Sequence, residues 1–461
     1  MSVSYPLRHP ETRSEAVMRR RGWWLVVANL LLPGCAQLLA GGRRLARLGI
    51  VSTLILWGFA LVIGVLALLD RTLVVGLFTR GTTLFLLQAL MVAYALLWVA
   101  LTLDTLRLVR FVRLGSAART GIALFTVVAL VAVVGATGYG ATIVGSARSA
   151  LGTIFAAGPS QPPVDGRYNI MLLGGDAGPD RQGMRPDSMS VLSIDAKTGQ
   201  TVNIGLPRDL DDIPFSRGSP MLADYPDGYG AHGRCDVDVC MLNSIYTEVQ
   251  LYKPDYYPDA KAQGSQPGIE AMRDALEGAT GLTIQYFALV DMQGFSDLID
   301  ALGGVTVDVT EKLPIGGLPD ANGKLQGVVG WIEPGKQHMN GQTAQWYARS
   351  RETTTDYDRM ARQRQLEEAI LTQMKPANVL TKFQGIAQAG TQVVKTDIPQ
   401  SMLAYFADLA GKARQRPVQN LDLVPPLVPA PASPDWTAVH GYVKRTIATG
   451  TPTAAAGTGA P

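Results

Sequence analysis

Hydrophobic and polar positions divide this chain into two unlike parts. The first third is close to continuous apolar sequence, with segments at Trp23–Ala40, Gly49–Leu69, Thr82–Leu103 and Gly121–Gly145. A membrane-spanning helix needs about 20 such residues. The last three segments meet that length, whereas the first is short and contains Asn29, Pro33, Gly34 and Gln37. Beyond residue 166 the pattern is that of a globular domain, with short apolar runs broken by turn residues and alternating with amphipathic stretches. Asn169-Ile170-Met171-Leu172-Leu173 reads as a buried strand that breaks at Gly174-Gly175-Asp176. Met189–Ile194 and Thr201–Leu206 read as strands joined by a hairpin turn at 195–200, and the second ends in Pro207-Arg208-Asp209. Residues 210–240 form a long irregular insert rich in Asp, Gly, Pro and Tyr. Helical periodicity marks 268–279, 292–302, 340–347 and about 357–375, 378–390 and 399–412, and strands are expected at 284–290, 305–309 and 418–424. Alternating strands and helices over this length predict one α/β domain with a central mixed sheet covered on both faces.

Loop charges orient the apolar third. Arg43, Arg44 and Arg47 lie in one loop, and Arg107, Arg110, Arg113 and Arg119 in another, while 70–81 carries Arg71 and Arg80 beside Asp70. Arg-rich loops stay cytoplasmic. Four full spans would put the N-terminus and the following domain on the same side; if Trp23–Ala40 instead dips in and returns, bent at Pro33-Gly34, every Arg-rich segment is cytoplasmic and three spans deliver the following domain outside. The expected organisation is a basic cytoplasmic N-terminus (1–22), a membrane region (23–145: re-entrant 23–40, helices about 49–69, 82–103 and 121–145), a linker (146–166), an extracytoplasmic domain (167–448) and a disordered tail (449–461). The expected location is therefore the cell membrane, multi-pass.

Charge and cysteines add less. Lys+Arg total 41 against Asp+Glu 38, for a net charge of +3, and no basic tail points to nucleic acid. Cys35 lies in an apolar segment, whereas Cys235 and Cys240 sit close together in the insert, where an extracytoplasmic setting favours a local disulfide.

The chemistry collects at predicted strand ends and in one basic block. Arg349 and Arg351 are two apart, facing one way in an extended segment. Arg359, Arg362 and Gln363 follow at i, i+3, i+4 of a helix, behind Asp356. Arginine suits phosphate, because its planar fork matches the oxygens in pairs. Taken alone, the block reads equally as a solvated, salt-bridged helix start. Asp176 follows the first strand, Arg185 and Asp187 precede the second, and Arg208-Asp209 follow the third. The hairpin brings the last two groups together, and the first joins them if its strand runs parallel to the third. Open α/β sheets place sites there. Asp176 and Asp187 among arginines suggest a hard divalent cation shared with phosphate. His338 reads as a loop or cap residue. No nucleophile elbow, phosphate-binding Walker loop or zinc-spaced His pair appears.

The order of these motifs resembles the LytR-CpsA-Psr family of cell-wall glycopolymer transferases over about residues 167–376. The resemblance is carried by 169–176, Arg185-Pro186-Asp187-Ser188-Met189, Leu206-Pro207-Arg208-Asp209, Leu242-Asn243-Ser244-Ile245-Tyr246, Asp300-Ala301-Leu302-Gly303-Gly304-Val305, 335–341, Ala348-Arg349-Ser350-Arg351 and 356–363. It implies an enzyme that moves a glycopolymer from a polyprenyl diphosphate carrier to peptidoglycan, through a phosphodiester to a muramic acid 6-hydroxyl. It implies that Arg208, Arg349, Arg351, Arg359 and Gln363 grip the diphosphate, with Arg185 nearby. Asp176 and Asp187 would hold Mg²⁺ (or Mn²⁺), and Asp209 or Asp356 would orient or deprotonate the acceptor. The implied partners are the lipid-linked glycopolymer, peptidoglycan and the bilayer, with no nucleic acid. The sequence departs from the family at Gly178, where an arginine is common, with Arg181 the nearest substitute. It departs also at Pro186, in the long insert, and in the multi-span anchor. Rival readings are a polyprenyl-diphosphate phosphatase, a non-catalytic membrane regulator and a lipid-binding scaffold.

Overall fold

The computed structural model describes residues 8, 10, 14–155, 158–176, 184–320, 324–350, 353–373, 394–413 and 415–449. The side chains of Asp176 and Asp356 lie outside that set, as do Arg181, Arg351 and the helix expected at 378–390. The chain forms two compact units, Met1–Arg148 and Ser149–Pro461.

The first unit is helical. Ser14 caps α1 (Glu15–Leu31), accepting from the Val17 amide at 3.5 Å. The chain then breaks, with Gly34 at φ +100°, and restarts as α2 (Cys35–Ala40). The broken segment packs on α5 (Gly81–Val109). Asn29 Oδ1 accepts from the Gly34 amide at 3.2 Å, which satisfies a donor the break would orphan, and its Nδ2 donates to Thr102 Oγ1 at 3.1 Å. Gln37 Nε2 donates to the Leu101 carbonyl at 2.8 Å. Among the described residues, three helical stretches are long and apolar enough to cross a membrane: Arg43–Leu69 (α3), Gly81–Arg113 (α5 with the turn after it) and Ser116–Ile154 (α6), and α4 (Arg71–Phe78) lies between the first two. These helices outrun their apolar cores. In particular, α6 continues through Ser146–Ile154, which composition had assigned to linker. That stretch contains no proline and includes the good helix formers Ala, Arg and Leu.

The second unit is built on a six-stranded sheet in the order β10-β3-β2-β1-β4-β9. Its strands are β1 (Arg167–Asp176), β2 (Arg185–Asp195), β3 (Thr201–Leu206), β4 (Tyr286–Asp291), β9 (Val394–Thr396) and β10 (Gln419–Asp422). β1 runs parallel to β4 and β10 to β3, and the other pairs are antiparallel, so the sheet is mixed. Alternation along β1 feeds two cores. Met171 and Leu173 join the larger core, with α7 (Ile245–Tyr252), α8 (Pro267–Thr280) and α13 (Trp436–Thr449). Tyr168 and Ile170 face the smaller one, with Leu409 of α12 (Leu403–Ala413). Both faces are thus covered.

A third core lies beside the sheet. It joins α9 (Met292–Leu302), the pair β5 (Val305–Val309) and β8 (Gly335–Met339), α10 (Gly341–Arg349) and α11 (Asp356–Gln373). β6 (Leu313–Pro319) and β7 (Leu325–Ile332) form a separate hairpin. His338 is a strand residue, not a loop or cap. It stands opposite Thr306 in β8, with Nδ1 3.1 Å from Thr306 Oγ1 and Nε2 3.1 Å from the Gly303 carbonyl. The polar run Gly335–Met339 has little strand character of its own and is held in the ladder by its apolar partner β5.

The insert is ordered through a buried hub. Glu248 is fully buried; it accepts from Tyr229 OH at 2.8 Å, from Tyr225 OH, and from the Asp236 amide at 3.1 Å. Lys253 Nζ reaches Glu248 at 2.9 Å, Asp224 at 2.6 Å and Asp236 at 3.0 Å. Cys235 and Cys240 are joined by a disulfide in the same loop.

Candidate active site

Three strand ends meet at one edge of the sheet. β2 is antiparallel to both neighbours, so its start lies beside the ends of β1 and β3. The β1–β2 register is interrupted there: Gly174 faces Ser188, Gly175 faces Pro186, and Asp187 has no partner in the β1 ladder. Pro186 has no N–H to donate, and pairing of β2 with β3 begins only at Met189, so the proline is tolerated where the strand has one neighbour. The bulge it accompanies re-aims the next side chain, as bulges beside active sites do. That side chain is Asp187.

Asp187 is met by two arginines. Arg208 Nη1 donates to Asp187 Oδ1 at 2.9 Å, with both side chains partly buried. Pro207 ends β3, and the Arg208 carbonyl accepts from the Asn243 amide at 3.2 Å, which fixes the turn that presents Arg208. From the other side, Arg359 Nη2 donates to the Asp187 carbonyl at 3.1 Å. Arg359 is 2% exposed. It arrives there because α11 seats closely on β3. A Cβ added at Gly205 would lie 3.2 Å from Met360 Cε of α11 and 2.5 Å from Asp422 Oδ1 of the neighbouring β10, so the glycine leaves room for both side chains.

The remaining basic residues have separate tasks. Arg349 closes α10 and Ser350 caps it. Arg362, three residues beyond Arg359, is a buried staple: its guanidinium donates to the Tyr347 carbonyl at 3.1 Å, to the Ser350 carbonyl, to Thr354 Oγ1 at 3.1 Å and to Glu311 at 3.4 Å. It fixes the turn that carries Arg349. Arg362→Met therefore costs about 3 kcal/mol of stability, because the buried carbonyls lose their donors. Thermal unfolding of the variant checks this. Arg364 pairs with Asp422, whose carboxyl is pushed upward by burial while Arg364 opposes the shift. Gln363 Nε2 donates to the Ala348 carbonyl at 3.2 Å. Among the described residues, Gln363 Oε1 and Asp209 Oδ1 are buried with no hydrogen-bond partner. Burial, with Asp212 and Asp209 adding to it, raises the nearby Asp211 carboxyl.

The structure thus brings together Asp187, Arg208 and Arg359; Asp209 follows Arg208, Gln363 shares α11 with Arg359, and Arg349 ends α10, whose Ala348 carbonyl accepts from Gln363. Arg185 opens β2 opposite Asp176, whose backbone ends β1. Asp356 begins α11, and Arg351 lies outside the described residues. Among the described residues no group of three or more His, Cys, Asp or Glu is placed to hold a metal ion. Sequence reasoning missed the pairing of Arg364 with Asp422 and the hub at Glu248 and Lys253. The hub's partners lie 5 to 23 residues from Glu248 and have no spacing signature.

This is an α/β domain with a guanidinium–carboxylate cluster at its strand ends, in a chain with three apolar helices of membrane-spanning length. The chain belongs to the LytR_cpsA_psr family, whose model matches residues 154–424. It is 23% identical over 233 residues to the polyisoprenyl-teichoic acid–peptidoglycan teichoic acid transferase TagU of Halalkalibacterium halodurans, covering 50% of this chain and 61% of that protein. It is 28% identical over 258 residues to regulatory protein MsrR of Staphylococcus aureus, covering 56% of this chain and 64% of the relative. The match thus spans about three-fifths of these relatives' length. Among solved structures it is similar to B. subtilis TagV, with 22% identity, a TM-score of 0.42, and 62% of this chain and 96% of that one covered.

Proposed function

We propose that this protein transfers a glycopolymer from a polyprenyl diphosphate carrier to peptidoglycan. One observation carries the reading: two arginines from distant segments converge on Asp187 at the strand ends. The family match and the named activity of TagU support the choice of reaction.

Phosphoryl transfer depends mostly on positioning and charge stabilisation. Arg208, Arg349, Arg359 and Gln363, with Arg185 and Arg351, hold the diphosphate. A guanidinium carries five N–H donors, so contacts to Asp187 and to phosphate are compatible. The hydroxyl oxygen at position 6 of muramic acid attacks the phosphorus that bears the glycan. The bridging P–O bond of the diphosphate breaks, polyprenyl phosphate departs, and a phosphodiester remains. The hydroxyl proton passes to Asp209 or Asp356. Asp187, aimed out of the ladder by the bulge, offers a hard oxygen donor. With Asp176 and substrate oxygens it suits Mg²⁺ or Mn²⁺, which would neutralise charge on the diphosphate. Release of free polymer with no transfer to peptidoglycan would make the protein a phosphatase instead.

The same reading places the α/β unit outside the cell. Three spans and a re-entrant α1–α2 keep the arginine-rich turns at the cytoplasmic face. A cysteine introduced at Ser116 then stays unlabelled by an impermeant thiol reagent in intact cells and reacts once they are permeabilised. Labelling in intact cells would invert this arrangement.

A further inference from the structure

The hairpin β6–β7 pairs with neither of the other sheets, although Leu313 and Ile332 are buried in the third core, and it is tied to the arginine block. Ser350, which follows Arg349, donates its hydroxyl to the Pro314 carbonyl of β6 at 3.3 Å. Pro314 is the cross-strand partner of Trp331 on β7. Directly paired residues project to the same face, roughly 5 Å apart. Trp331 is 44% exposed, and Val329, two residues earlier, is 81% exposed. Large apolar side chains held out to water at such a place call for a partner.

The surroundings indicate which partner. Lys312 Nζ lies over the Trp331 ring, 5.1 Å from its centroid, and pairs with Glu333 at 2.7 Å, so half-exposed charged groups that can hydrogen-bond stand beside the indole. Gly316, Gly317 and Gly327 all have positive φ and interrupt the hairpin's alternation. A flat aromatic surface bordered by an ammonium and a carboxylate suits a pyranose. The sugar's C–H face lies on the ring while its hydroxyls meet the charges. A bilayer-facing hairpin would instead carry a broader apolar surface without a paired Lys and Glu.

We propose that Trp331, with Lys312 and Glu333, is the subsite for the first sugars of the donor glycan, those attached to the diphosphate. This rests on the diphosphate reading above. The hairpin begins one hydrogen bond from the segment that carries Arg349, and the donor's first sugar is covalently joined to the group that segment would grip. Trp331 is then a specificity-determining residue: it reads the glycan and leaves the phosphates to the arginines.

The test measures binding of the purified full-length chain, in detergent, to two probes: polyprenyl diphosphate bearing a disaccharide and sugar-free polyprenyl diphosphate. Trp331→Ala is expected to weaken the sugar-bearing probe roughly 10-fold, the scale of one lost aromatic stack, and to leave the sugar-free probe unchanged. Trp331→Phe, which keeps an aromatic ring, should recover most of the loss. An unfolding profile equal to wild type shows that the hairpin is intact, and Lys312→Ala provides a second, milder variant expected to shift only the sugar-bearing probe. Unchanged binding of both probes, or equal loss of both, overturns the subsite. So does a rise confined to the KM for peptidoglycan, or a loss confined to association with phospholipid vesicles. If the wild-type chain binds neither probe, the diphosphate reading itself fails, which is a different outcome.

Discussion

Arg359→Ala is expected to lower the rate of glycopolymer transfer by about 10³-fold, the range seen when a preorganised cation is removed from phosphoryl transfer. Arg359 is buried, comes from α11 and touches the carbonyl of Asp187, itself the partner of Arg208. It therefore contributes charge from a buried position, where a charge acts more strongly than at the surface. Arg359→Lys keeps the charge and loses the planar fork, so it is expected to recover only part of the rate. Asp187→Asn should fall by a comparable factor, and the double variant should fall by less than the product of the single losses, because the two side chains act on one group. Initial rates of transfer, with thermal unfolding to confirm the fold, check these outcomes. Near-wild-type rates for both single variants would remove this cluster from the reaction.

The second large effect is on stability. Glu248→Leu is expected to cost about 4 kcal/mol, in the range for removing one partner of a buried ion pair. The leucine fills the space but leaves two tyrosine hydroxyls and the Asp236 amide without their acceptor, and takes from Lys253 Nζ one of its three carboxylates. For a domain of this size that corresponds to a fall in Tm of about 10 °C. The hub also predicts a pH dependence. The hydrogen bond from Lys253 holds the Asp224 carboxyl below its ordinary range. A depressed carboxyl contributes stability that is present above the unfolded value of roughly 3.9 and is lost as pH falls through the folded one. Lys253→Met should flatten that acid-side loss of Tm.

Much of this was legible in the chain because the signals were local. The short apolar runs at 169–173 and 201–206 mark two strands, and the hairpin between β2 and β3 brings Asp187 and Arg208 to one end of the sheet. The apolar helices are legible by length alone. What sequence hid was of three kinds. The β6–β7 hairpin is interrupted by glycines, so its alternation is weak. β8 borrows its conformation from β5. Helical spacing put Arg359 and Arg362 on one face but could not separate a site residue from a backbone staple. That difference comes from what each meets: a carboxylate-bearing strand end, or the carbonyls at the end of α10. The hub was hidden because its pairings are spread over a long insert with no fixed spacing.

The central claim is tested most directly by incubating the purified full-length chain with polyprenyl diphosphate carrying a labelled glycopolymer, with peptidoglycan and Mg²⁺. Label joined to peptidoglycan through a phosphodiester is expected, with release of polyprenyl phosphate in equal amount and loss of both with Asp187→Asn. Label appearing only as free polymer, or transfer that survives the loss of Asp187 and Arg359, would contradict it.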